Sequence, residues 1–61
     1  MNPKKLSIGM RVVVTNDSNA TVYTIAQIDG FNVSLVYSLA NGQLASGGCI
    51  DASYIKGIIL A

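Results

Sequence analysis

The chain is expected to be an all-β protein. Apolar residues recur at a spacing of two far more than at three and four. Short Gly, Asn, Asp and Ser clusters separate the apolar runs, and β-branched residues fill them. Half of the 61 residues are hydrophobic and only 11% are charged, which is the reverse of a disordered composition. A chain of this length buries only roughly 60% of its unfolded surface, so residues 1–61 are read as one domain around one small core.

The first strand is placed at residues 10–15, where Val12, Val13 and Val14 favour pleated backbone because their branched side chains restrict χ1. The stretch Asn16-Asp17-Ser18-Asn19 then supplies side chains that bond their own backbone, and it is expected to be a loop. Residues 21–28 form the second strand, closed by a tight turn at Asp29-Gly30. Residues 32–38 form the third, with Val33, Leu35 and Tyr37 on one face and Asn32, Ser34 and Val36 on the other. Asn41-Gly42 predicts a type I′ hairpin into a fourth strand. Gly47-Gly48 breaks or bulges that strand, which Cys49-Ile50 continue. Asp51-Ala52-Ser53-Tyr54 reads as a single 3-10 turn capped by the carboxylate. Residues 57–60 make the last strand.

Two local stretches resemble the SH3-like small barrels. Ile25-x-x-Ile28-x-Gly30-x-x-Val33-x-Leu35-x-Tyr37 is similar to the hairpin pattern of Tudor-like and KOW-like barrels. Gly48-Cys49-Ile50-Asp51-Ala52-Ser53-Tyr54-Ile55 looks like the segment that ends SH3 domains. Together they cover about half the chain, and they imply a five-stranded SH3-like barrel with one single-turn 3-10 helix before the last strand. The departures narrow what the resemblance implies. There is no Trp, and Asp51 stands where proline-binding SH3 domains carry Pro, which argues against proline-rich ligands. Gly48-Cys49-Ile50 lacks both the Gln and the Tyr of the Gln-Ile-Tyr run of the similarly short type II dihydrofolate reductases.

Composition removes most catalytic chemistry. Without His and with one Cys, no zinc site assembles from the usual ligands of one chain, and no intrachain disulfide forms. The missing imidazole excludes a Ser-His-Asp or Cys-His arrangement, and with Asp17, Asp29 and Asp51 widely spaced and no Glu, paired-carboxylate chemistry has little support in the sequence. No cofactor or metal is therefore expected. Arg11 interrupts the only N-terminal apolar run after five residues, so neither a signal peptide nor a membrane span is read there. A cytoplasmic protein with a free thiol follows, and Cys49 beside Ile50 is expected to be an inert core residue.

The apolar excess carries the functional expectation. Val13, Val36, Leu39, Leu44, Ile59 and Leu60 cannot all enter one small interior together with the opposite face. Some must be exposed, which predicts self-association or a protein partner. Phe31 at a turn tip is an interface candidate. Tyr54 either flanks a groove beside Tyr23 or Phe31 or plugs one end of the barrel, and Val36 joins the interface set. The leading expectation is a non-enzymatic interaction module or accessory subunit. The alternative is a weak nucleic-acid binder using Lys4, Lys5, Arg11 and Lys56 against phosphates, and a third reading is a small enzyme whose site forms only between subunits.

Overall fold

The computed structural model describes residues 5–15 and 17–59. Five antiparallel strands follow one another in a meander: β1 (Arg11–Val14), β2 (Tyr23–Asp29), β3 (Asn32–Ser38), β4 (Leu44–Asp51) and, after a 3-10 turn at Ala52–Tyr54, β5 (Ile55–Ile59). They form one sheet in the order β4-β3-β2-β1-β5, so the last strand returns beside the first. This is the expected all-β arrangement with its single helical turn before the last strand. The sheet curls, but β4 and β5 remain its two edges.

The curl brings the concave faces together. Leu6, Val12, Ile25, Val33, Leu35, Ala52 and Ile55 are buried, and Met10, Val14, Tyr23, Ile28, Ile50 and Ile58 pack around them. Burying each such aliphatic side chain contributes about 1.5–3 kcal/mol, and this small set is the whole described core.

Three bulges set which residues reach it. The ladder between β2 and β3 shifts at Ala26, so Ile25 opposes Leu35 and Ile28 opposes Val33 on one face although they are three residues apart. Lys56 is the extra residue opposite β1, which turns both Ile55 and Ile58 inward. In β4 the shift falls at Gly47 and Gly48, and Gly48 takes the positive φ of 86°. An extra residue inverts the alternation beyond it.

The bulge in β4 corrects one expectation. Beyond the glycine pair Ile50 faces the core opposite Val33, so Cys49 lies on the outer face, exposed. Its Sγ lies 3.2 Å from Ser34 Oγ. The two turns also differ from expectation. Asp29 pairs with Asn32 as the end of β2, and the loop is Gly30-Phe31, with only Gly30 at positive φ (60°), the type II′ form. Asn41 has no positive φ either. The Gly42 amide donates to the Leu39 carbonyl at 3.0 Å with Gly42 at φ 84°, and the Leu39 amide donates to the Gln43 carbonyl at 2.7 Å. That is a type I turn closed by a left-handed glycine, and the Asn41 carboxamide accepts from the Gln43 amide at 3.0 Å.

Candidate interaction surface

The 3-10 turn is held by the backbone on two sides. Asp51 precedes it in extended conformation and its Oδ1 accepts from the Ser53 amide at 2.9 Å, so the carboxylate caps the turn as the sequence predicts. Hydrogen bonding from Ser53, its amide foremost and its side chain next, holds the Asp51 carboxyl below its ordinary pKa. The Ala52 amide donates to the Phe31 carbonyl at 2.7 Å, and the Thr15 amide donates to the Tyr54 carbonyl at 2.9 Å. One short turn thus ties the β2–β3 hairpin to the end of β1.

Phe31 and Tyr54 project from those tethered positions. Phe31 is 65% exposed and Tyr54 51%. Tyr54 therefore does not plug the core, whose floor beneath the turn is made by Ala52 and Ile55. Two carboxylates share this end. Asp29 opposes Asn32, and Asn32 opposes Asp51, so the three residues form one row across β2, β3 and β4 beside the Phe31 turn.

The β1–β2 loop is organised by one side chain. Asp17 Oδ1 accepts from the Asn19 amide and Oδ2 from the Thr21 amide, both at 2.9 Å, while the Asp17 carbonyl accepts from the Ala20 amide at 3.2 Å. The hydrogen bond with the Thr21 side chain is the main cause holding the Asp17 carboxyl below its usual value. Ala20 is the only described non-glycine residue at positive φ, 54°.

Other candidates fall elsewhere. Tyr23 turns inward, half-buried, and meets Tyr37 edge to face with ring centroids 5.8 Å apart. It does not join Phe31 and Tyr54 at the surface, because its partner across the sheet fixes it on the concave side. Val36 lies on the outer face, half-buried, in a row that runs Ser46, Val36, Thr24, Arg11, Ile59 across all five strands. Of the cations, Arg11 occupies that row, Lys56 is the exposed bulge residue of β5, Lys5 is exposed before β1, and Lys4 lies outside the described residues. Ile8, Val22, Leu39, Leu44 and Ile59 add exposed apolar surface. Leu60 also lies outside the described residues.

Among the described residues no three His, Cys, Asp or Glu side chains converge in a metal-binding group, and no helix is long and apolar enough to cross a membrane. No protein-family model, curated protein or solved structure matches this chain.

Proposed function

We propose that this chain is a non-enzymatic protein-interaction module that docks its partner on the end of the sheet bearing Phe31 and Tyr54. One observation carries the reading: two large aromatic side chains stand more than half exposed on backbone positions clamped through the 3-10 turn. Exposed aromatics on a rigid frame lose little further freedom on binding, and aromatic anchors supply most of the energy of protein interfaces. A monomer gains nothing from holding two such rings in water.

The test compares the wild-type chain with a Phe31→Ser/Tyr54→Ser variant as baits, followed by affinity measurement on each purified partner. Both side chains are exposed, so the variant keeps the fold. Two aromatic anchors at about 2 kcal/mol each amount to a loss of roughly a thousandfold. Equal affinity of the two baits for every partner overturns the reading.

A further inference from the structure

Charge distinguishes the surface that carries Phe31 and Tyr54. Of the three acidic side chains in the sequence, Asp29 lies two residues before Phe31 and Asp51 three before Tyr54. Ile28 and Ile50 pack against the core, so strand alternation sends Asp29 and Asp51 to the outer face, where both are exposed. Asn32 lies between them in the register, which sets the two about 10 Å apart. Among the described residues neither is in an ion pair, and no hydrogen bond reaches the Asp29 carboxylate. Asp51 caps the 3-10 turn through Ser53, and an ionised carboxylate, with about four acceptor positions, has room for more. Of the described cations, Arg11 sits opposite Thr24, well back along β2 from Asp29, and Lys56 follows Tyr54 without pairing to either carboxylate.

Resting on the docking reading already given, we propose that the partner presents an arginine-bearing basic segment to this surface. The carboxylates and the rings select it together. A guanidinium stacks on an aromatic face and donates bidentate hydrogen bonds to a carboxylate, so one type of side chain uses both groups found here. An acidic or phosphate-bearing partner meets like-charge repulsion from Asp29 and Asp51. A purely apolar one strips water from two carboxylates and returns nothing to them, which costs affinity. The separation of the carboxylates is more than one guanidinium spans. A segment with two or more cations therefore engages both.

Nuclear magnetic resonance of the isotope-labelled chain, titrated with a peptide of alternating Arg and Ser and with its Glu-Ser counterpart, tests this. The Arg peptide is expected to shift the amides of residues 29–32 and 51–54, with an affinity that falls as salt screens the charges, and the Glu peptide to leave them in place. In Asp29→Asn/Asp51→Asn, where Asn still caps the turn, binding should weaken at least about tenfold, with circular dichroism and melting temperature reporting the fold. No shift at these residues, an equal response to the Glu peptide, or undiminished binding by the Asn variant overturns the proposal. If the Asn variant does not fold, the wild type in rising salt decides: falling affinity supports the charge contact, and constant affinity refutes it. The Phe31→Ser/Tyr54→Ser variant separates this failure from failure of the docking surface. A purified partner that loses affinity for the aromatic variant but not for the Asn variant removes the basic segment and leaves the docking reading standing. Equal affinity for all three chains removes both.

Discussion

A methyl group placed on Gly47 would enter the ring of Tyr23. The added Cβ falls 2.8 Å from Tyr23 Cε1, 2.9 Å from Cδ1 and 3.4 Å from Leu35 Cβ. The ring cannot step aside freely, because Tyr37 holds its other side at 5.8 Å between centroids. Overpacking of this kind costs about 1–3 kcal/mol, and the reduced freedom of the unfolded chain returns about 0.4–1 kcal/mol, so Gly47→Ala destabilises by about 1–2 kcal/mol. For a domain this small that lowers the melting temperature by about 5–15 °C. Gly48→Ala is expected to cost a similar amount, about 1–2 kcal/mol, for a different reason. Nothing lies within 4 Å of its added Cβ, but the residue sits at φ +86°. A Tyr23→Leu background separates the two. Removing the ring relieves Gly47→Ala and leaves the cost of Gly48→Ala intact, with a coupling of about 1–2 kcal/mol for the first pair by denaturant unfolding. Costs of Gly47→Ala and Tyr23→Leu that simply add, to within about 0.5 kcal/mol, would refute the packing argument.

Two further outcomes concern the loops. Ala20 pays for a left-handed conformation that glycine adopts without strain. Ala20→Gly is expected to raise stability by about 0.5–1 kcal/mol in chemical denaturation, and an unchanged or lower midpoint contradicts the assigned backbone. The carboxyls of Asp17 and Asp51 are held below their unfolded value, so what they add to stability is fully present above about pH 4 and is lost as pH falls through the depressed folded values. Thermal melts from pH 7 to pH 2 should show stability falling in that acid range, with a smaller fall in Asp17→Ala. An Asp17→Ala curve parallel to the wild type would show that the carboxylate does not organise the loop.

The third strand was legible because nothing interrupts it: Val33, Leu35 and Tyr37 face inward as strict alternation requires. The capped turn at Asp51 was legible too, since a carboxylate two residues before an amide has few other uses there. The glycine pair marked the bulge of β4, as expected, and what alternation hid were the other two bulges. Ile25 with Ile28 and Ile55 with Ile58 are spaced by three, a period no flat strand can bury, and that spacing was itself the signal of an extra residue. Missing the parity change at Gly47-Gly48 put Cys49 inside, although it is outside. Asn41-Gly42 misled for a related reason. The pair fits two turn types, and the Asn41 side chain bonding the Gln43 amide belongs to the one with a single left-handed residue. At the candidate surface, the exposure of Phe31 followed from its place at a turn tip. The inward side of Tyr23, which keeps it from that surface, is set by its place in the ladder opposite buried Val12.

The pairing of β1 bears on what holds the curl together. Its seam with β2 has two register pairs, against four with β5. Two backbone hydrogen bonds lengthen the shorter seam, from the Gly9 amide to the Ile25 carbonyl at 2.8 Å and from the Ile25 amide to the Met10 carbonyl at 2.9 Å. Arg11, opposite Thr24 on one side and Ile59 on the other, is thus where a strand near in sequence and one far from it are fastened to the same backbone.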